Sequence, residues 1–386
     1  MRFPEFTNVW EKNYLSKYLV VSSLKNKNDY FTRNDVLSVS GDLGCVNQIQ
    51  LLGRSFAGAS LIPYHVVELN DIVYTKSPLA EYPYGIIKTN RYKIGIVSTL
   101  YAVYKTTNHA NNKFIEHYFG LKSRINNYLK PIVRIGAKHD MKIGNSEVLN
   151  NYVIFPNVPE QKKIAIFIDL LTQRINTQSK IIEDLELFKK GIWNYIYLTK
   201  SSDWKCVKLS DILCERKDFA LKGDEFIHAT LSKDGIFAKT DRYDRDFLVT
   251  NDEKEYKITR LNDICYNPAN LKFGVICLNK FGDAIFSPIY VTYIVKNDFI
   301  PSFVKLILTS SRFLKYIRKY EQGTVYERMA VNSEDFLKGE ILIPTKDKQK
   351  AIADYFDMLD LKIKKEKDIL ELYKKQKAYL LKNMFI

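Results

Sequence analysis

The sequence predicts a mixed α/β (α+β) chain built twice. It has two tandem, pseudo-repeated globular domains, each followed by one long helix, and the two helices pack as an antiparallel coiled coil. Three observations carry this reading. Residues 154–197 align with residues 342–385 at a constant offset of 188, without a gap. Both stretches place apolar residues at 4-3 spacing, the pattern of helices that pack along a seam. The regions between them alternate β-branched and aromatic runs with amphipathic segments, as mixed domains do.

The aligned stretches share 11 identities in 44 positions. Among them are Pro156/Pro344, Gln161/Gln349, Ile164/Ile352, Ala165/Ala353, Asp169/Asp357, Leu171/Leu359, Ile175/Ile363, Glu183/Glu371 and Lys189/Lys377. Upstream the likeness continues more weakly. Trp10, Leu15 and Ser16 match Trp204, Leu209 and Ser210, and residues 69–74 match 261–266. Ser98, Tyr101, Tyr104 and Asn108 match Ser287, Tyr290, Tyr293 and Asn297. The offset falls from 194 to 188, so the second copy is a few residues shorter. Recurrence on this scale marks a repeated structural unit. It divides the chain into a domain (1–156), a helical spacer (157–198), a second domain (199–344) and a second helical spacer (345–386).

Within the first domain, residues 94–104 read as a strand and residues 113–130 as an amphipathic helix. Residues 283–295 and 302–320 hold the matching places in the second. Asn157 and Thr345 are equivalent N-cap candidates, and Pro159 suits a first turn. The first seam runs Ile164, Ile168, Leu171, Ile175, Gln178, Ile182, Leu185, Lys189, Ile192, Ile196. The second runs Ile352, Phe356, Leu359, Ile363, Glu366, Leu370, Tyr373, Lys377, Leu380, Met384. Polar residues interrupt both at the same two places, Gln178/Glu366 and Lys189/Lys377. A polar seam position either sets register at some cost in stability or flanks the contact and reaches water. Each helix of about 34 residues spans roughly 50 Å. Antiparallel packing gives the chain an approximate two-fold axis, with one globular domain near each end.

A chain of 386 residues suggests more than one core, since a single core rarely grows past about 250–300 residues. Apolar residues make up 46%, which excludes global disorder. No run reaches the roughly 18 apolar residues of a membrane span, and the N-terminus lacks an apolar signal core. Cys45, Cys206, Cys214, Cys265 and Cys277 form no CxxC pair and no zinc set, so they read as buried, reduced thiols in a cytoplasmic protein. Lys+Arg number 59 against 44 Asp+Glu, for a net charge of +15. Such an excess points to a polyanionic partner, most often nucleic acid, although an AT-rich genome also enriches Lys, Asn, Ile and Tyr. The excess is +8 over residues 1–156 and +2 over 199–344, against +1 and +4 in the two helical segments. In the second domain any basic surface must therefore be local.

Catalytic motifs fail one by one. Gly53-Arg54-Ser55-Phe56-Ala57-Gly58-Ala59-Ser60 has the glycine spacing of a P-loop, but Ala59 stands where the phosphate-binding Lys must be. Asn267-Pro268-Ala269-Asn270 is a faint echo of an amino-methyltransferase motif without its second Pro and aromatic residue, and reads as a turn. Glu255-Tyr256-Lys257 has the end of a nuclease metal site but no upstream partner, and reads as a solvated loop. His65, His109, His117, His139 and His228 show no ligand spacing, and no Ser/His/Asp or Cys/His set can be assembled.

The chain resembles the specificity subunit of type I restriction–modification enzymes over essentially its whole length. The most specific part is Pro156-x-x-Pro159-Glu160-Gln161-x-x-Ile164-Ala165 ahead of the long helix. The second copy keeps Pro344, Gln349, Ile352 and Ala353 but has Asp347-Lys348 in place of Pro-Glu. Arg2-Phe3-Pro4-Glu5-Phe6 with Trp10 is similar to a common opening of the family. Arg134-Ile135-Gly136 and Gln322-Gly323-Thr324 resemble its usual glycine loop. The resemblance implies two target-recognition domains, each reading half of a split, asymmetric double-stranded DNA sequence. It implies that the helices set the gap and dock two methylation subunits, with two restriction subunits as further partners. The chain itself would be non-catalytic and hold no cofactor or metal; S-adenosylmethionine, ATP and Mg²⁺ would belong to the partners.

Basic or aromatic residues near Gly/Pro turns are the candidates for DNA contact, by phosphate or base edge. In the first domain they are Arg54, Lys76, Lys88, Arg91, Arg134, Lys138 and His139. In the second they are Arg242, Arg245, Arg260, Lys272, Lys280, Tyr326 and Arg328. The plain alternative for each is a solvated surface side chain. Two other function classes compete. A coiled-coil scaffold binding RNA or protein would show no sequence preference, and its binding would track salt alone. A nuclease using Glu255 and Lys257 would cleave in a metal-dependent way.

Overall fold

The computed structural model describes residues 1–79, 81–136, 141–221, 226–239, 255–323 and 329–385. It divides into two compact units, Met1–Ile181 with Lys367–Ile386, and Ile182–Glu366. Each unit takes one globular domain and part of each long helix.

The first unit begins with β1 (Glu11–Tyr14), β2 (Leu19–Val21), β3 (Leu37–Ser40) and β4 (Gly44–Asn47), then the short α1 (Gln48–Leu52). Next come β5 (His65–Val67), β6 (Ile72–Thr75), β7 (Ile87–Thr89), β8 (Gly95–Val97) and β9 (Tyr101–Thr106). Helices α2 (Asn112–Tyr118) and α3 (Lys122–Leu129) follow, then β10 (Arg134–Ile135), β11 (Met141–Lys142), β12 (Tyr152–Phe155) and the long α4 (Val158–Leu198). The central antiparallel sheet has the order β2-β9-β6-β7. Strand β1 pairs with β12, Glu11 opposite Phe155, and so ties the start of the chain to the start of α4.

The second unit repeats this plan. It holds β13 (Lys205–Lys208), α5 (Leu209–Ile212), β14 (Leu213–Glu215), β15 (Phe219–Leu221), β16 (Ile227–Ser232) and β17 (Gly235–Ala238). Then come β18 (Glu255–Thr259), β19 (Ile264–Tyr266), β20 (Ile276–Leu278), β21 (Ala284–Phe286) and β22 (Val291–Val295). Last are α6 (Pro301–Leu308), α7 (Ser311–Ile317), α8 (Ser333–Leu337), β23 (Glu340–Ile343) and the long α9 (Lys346–Asn383). Its central sheet, β14-β22-β19-β20, is the first unit's sheet in the same order. Its β13–β23 pair matches β1–β12. A second sheet, β15-β18-β21-β16-β17, includes a parallel pair, β16 with β21. The first unit reaches the same arrangement with less pairing. There Lys25 bridges to His65 of β5, and among the described residues the β3–β4 and β5–β8 ladders meet at the parallel bridge Val36↔Ile96.

The repeat identities now have structural reasons. In Gln161 the side-chain oxygen accepts from Asn111 N–H (2.8 Å) and the amide donates to Pro156 O (2.9 Å). In Gln349 the oxygen accepts from Ile300 N–H (3.0 Å) and the amide donates to Pro344 O (3.0 Å). Both glutamines are buried, so each satisfies backbone groups that would otherwise be orphaned. Tyr104 and Tyr293 donate to equivalent carbonyls, Asn145 O (2.9 Å) and Ser333 O (3.0 Å). Asn70 and Asn262 both sit in the left-handed region, φ 72° and 71°, which Asn tolerates better than most residues.

The two long helices pack together. No seam position on either helix is exposed; Ile164, Ile168, Leu171, Ile182, Phe356, Leu359 and Ile363 are buried, and Ile175, Leu185, Ile352, Leu370 and Tyr373 are half-buried. In the first unit, Ile164, Ile168 and Leu171 share one core with Leu380, Met384 and Phe385. Arg174 there stacks on Tyr373, 4.5 Å from the ring centre. In the second unit, Lys189 pairs with Asp360, and Trp193 meets Phe356 edge-on with ring centres 5.8 Å apart. Within each unit the partners descend along one helix as they ascend along the other, so the packing is antiparallel. Asn157 caps α4 by accepting from Glu160 N–H (3.0 Å). Thr345 contributes its backbone carbonyl to Gln349 N–H (2.9 Å).

Four expected elements are each split in two. Residues 94–104 form β8 and β9, because Ser98 turns the chain: its carbonyl accepts from Tyr101 N–H (3.0 Å) and its hydroxyl from Leu100 N–H (3.3 Å). Ser287 does the same between β21 and β22, accepting from Tyr290 N–H (3.1 Å). Residues 113–130 break at Gly120 into α2 and α3. Residues 302–320 break at Ser310, whose hydroxyl caps α7 through Phe313 N–H (3.2 Å). At Ser98 and Ser310 a local side-chain cap outcompetes continuation of the element, whereas at Ser287 and Gly120 the turn is held by backbone bonds.

Candidate nucleic-acid interface

The rejected catalytic motifs have structural explanations. Gly53 (φ 75°) ends α1, so a helix precedes the glycine-rich loop, whereas a phosphate-binding loop leads into one. Asn267 caps a short 3-10 turn over Pro268–Phe273. In β18, Tyr256 lies in the core and the buried Lys257 ammonium pairs with Glu215 at 2.5 Å. That run is a strand, not the solvated loop the sequence suggested. The five thiols are free, but only Cys45, Cys265 and Cys277 are buried as expected; Cys206 of β13 and Cys214 of β14 lie on the exposed side of their strands.

The DNA-contact candidates fall into three groups. Lys138, His139, Arg242, Arg245, Tyr326 and Arg328 lie outside the described residues. Arg54, Arg134, Arg260 and Lys272 are exposed, and Lys76 is half-buried at the end of β6 with its pKa lowered by burial. Arg54 stacks on Phe56 (4.7 Å) and Lys272 on Phe273 (5.2 Å), both exposed aromatic rings beside a left-handed glycine, Gly53 or Gly274. Sequence reasoning named the two cations but passed over Phe56 and Phe273. An aromatic residue within two positions of a basic one, at a glycine turn, was the signal available.

The third group, Lys88, Arg91 and Lys280, faces the long helices. Arg91 bonds Asp169 of α4 (3.0 Å) and Glu116 of α2 (2.9 Å). Lys280, its repeat equivalent, bonds Asp357 of α9 (2.8 Å). The shared identity Asp169/Asp357 is thus the helix end of one domain-to-helix ion pair, present in both copies. Asp169 also receives Lys113 (2.8 Å) and His117 (2.8 Å). Burial alone raises its pKa, but the bonds from His117 and Lys113 and the Arg91 charge outweigh that and hold it well below the usual carboxylate range. In the second unit a further acid, Asp360, receives Lys189 and Lys305 (3.2 Å).

The departure at Asp347-Lys348 is a charge exchange. Glu160 is fully buried and accepts from Arg2 Nε (2.7 Å) and Trp10 Nε1 (3.2 Å). Its equivalent, Lys348, is 53% exposed and pairs with Asp203 (2.9 Å).

With this geometry in hand, comparison with solved structures is decisive for the fold. An S subunit of a type I restriction–modification system from M. genitalium superposes with a TM-score of 0.63 at 12% identity, over 100% of this chain and 99% of that one. The chain has the S-subunit fold. A chain from a type I R-M system, studied for its complex assembly and conformational transition, superposes with a TM-score of 0.56 at 12% identity over 97% of both chains. The sequence matches no protein-family model and no curated protein. Among the described residues, no helix is long and apolar enough to cross a membrane.

Proposed function

We propose that this chain is the DNA-recognition subunit of a type I restriction–modification complex. The observation that carries the proposal is the full-length likeness to an S subunit, together with a repeat whose two copies keep the same buried glutamine and the same domain-to-helix ion pair. Each globular domain reads one half of a bipartite, asymmetric site in duplex DNA. The helix pair sets the gap and offers its outer faces to two methylation subunits, with two restriction subunits completing the assembly. The chain is non-catalytic in this reading, and S-adenosylmethionine, ATP and Mg²⁺ act on the partner subunits.

Because Arg91 and Lys280 are engaged by helix carboxylates, DNA contact in the described region rests on Arg54, Arg134, Arg260, Lys272 and Lys76, with Phe56 and Phe273 beside two of them. The test is a genome-wide map of methyladenine with and without the gene, followed by replacement of residues 199–344 by another such domain. Loss of one split motif, and a change in only one of its halves after replacement, is the expected result. A change in both halves would refute one domain reading one half.

A further inference from the structure

The second unit shows how its junction with the helices is closed. The Asp360 carboxylate lies between two ammonium groups, Lys189 and Lys305. The repeat places Thr172 where Asp360 stands, Lys377 where Lys189 stands, Glu116 where Lys305 stands and Lys88 where Cys277 stands. The first unit therefore keeps one lysine, gains another and lacks the carboxylate between them.

Its own side chains do not make up the loss. The Thr172 hydroxyl donates to Ile168 O of its own helix (2.8 Å). Glu116 is engaged by Arg91, and Asp169 by Arg91, Lys113 and His117. Among the described residues, neither Lys88 nor Lys377 has a hydrogen-bond or ion-pair partner. Both line a cavity of about 270 Å³, with Arg91, Glu116, Asp169 and Asp42 also on its wall. On the wall three cations, Lys88, Arg91 and Lys377, stand with three carboxylates, Asp42, Glu116 and Asp169; Arg91 pairs with the last two, and Lys113 reaches Asp169 from outside the cavity. Burial, and then the Lys88 charge, push the Lys377 pKa down, while Glu116 and Asp169 pull it back. Two half-buried ammonium groups facing one cavity are a cost that a bound anion removes.

We propose that this cavity binds a small oxyanion of the phosphate class between Lys88 and Lys377, in the place that the Asp360 carboxylate fills in the other copy. Lysines suit it, since each is a point charge that accepts a rotating tetrahedral anion, whereas a planar guanidinium fork fixes its orientation.

The experiment is thermal unfolding of the full chain in sodium phosphate against sodium chloride at matched ionic strength, with ³¹P line width of the free anion as a second readout. In the parent chain phosphate raises the unfolding midpoint by about 3 °C at ten times its Kd and broadens the ³¹P line. Thr172→Asp, which supplies the carboxylate internally, raises the basal midpoint and abolishes both responses. The double variant Lys88→Met, Lys377→Met loses the responses as well; should it not fold, Thr172→Asp alone decides. Equal midpoints in phosphate and chloride for the parent chain, or an undiminished phosphate response in Thr172→Asp, would overturn the proposal.

Discussion

The two domain-to-helix junctions solve one problem with different charges. In the first unit a single acid of α4, Asp169, gathers Arg91, Lys113 and His117. In the second the load is split, Asp357 taking Lys280 and Asp360 taking Lys189 and Lys305. At the helix starts, buried Glu160 faces Arg2, while exposed Lys348 faces Asp203. Against this variation, Gln161 and Gln349 keep the same partners in both copies. The difference follows from what each group satisfies. A buried amide that closes backbone hydrogen bonds has no substitute of equal shape, because losing it orphans a carbonyl and an N–H. An ion pair can be inverted whenever both members change together.

The comparison is broken most severely at its buried end. Glu160→Lys places an ammonium at a site with no solvent exposure, against Arg2. Chemical denaturation is expected to show a loss of about 3–5 kcal/mol, the range for leaving a buried charge uncompensated. Arg2→Asp in the same chain recreates the sign of the Lys348–Asp203 pair and recovers much of the loss. The mirror change, Lys348→Glu, shifts the midpoint far less, because water solvates the new charge. Equal losses from the two single variants would show that burial is not what separates the junctions.

The invariant pair gives an intermediate effect and a test of equivalence. Gln161→Leu and Gln349→Leu each strand one backbone N–H and at least one carbonyl, so each should cost about 1–3 kcal/mol. Gln161→Leu should be the costlier of the two, because Gln161 also donates to His109 O (3.0 Å), a bond with no counterpart at Gln349. Urea midpoints of the two variants, measured on the full chain, make the check.

Much of this architecture was legible before the structure. The gapless repeat located both long helices, and 4-3 spacing picked out positions that the structure leaves unexposed, because periodicity is a property of the chain itself. The splits at Ser98, Ser287, Gly120 and Ser310 were not legible, because each depends on one local hydrogen bond or a change of backbone direction that average propensity does not register. The candidate interface was harder still. Arg91 and Lys280 were chosen for their proximity to turns, while the residues that hold them, Asp169 and Asp357, lie 77 or more positions away in sequence. The identity of those two aspartates was visible, but its meaning required knowing which basic residue stood opposite. Phe56 and Phe273 were missed for the opposite reason, since an aromatic residue is read first as core and only coordinates reveal these two as exposed.

The smallest effect separates the two junctions by pH. Asp169 has its pKa depressed in the folded chain, burial being outweighed by the bonds from His117 and Lys113 and by the Arg91 charge. A depressed carboxylate stabilises the fold above its unfolded value, near 4, and that contribution disappears as pH falls through the folded value. Stability of the parent chain should therefore drop below about pH 4 more steeply than that of Asp169→Asn, which has no such proton to take up. At neutral pH the same substitution should cost about 1 kcal/mol, since Arg91 and Lys113 are partly exposed and water screens their share of the pairing. Asp357→Asn removes a pair exposed on both sides, so its acid limb should nearly overlay that of the parent. Stability measured from pH 7 down to 3 on the two variants decides the matter. If Asp357→Asn flattened the acid limb as much as Asp169→Asn, the cluster of Arg91, Lys113 and His117 on Asp169 would not be the stronger anchor, and the asymmetry between the junctions would lie elsewhere.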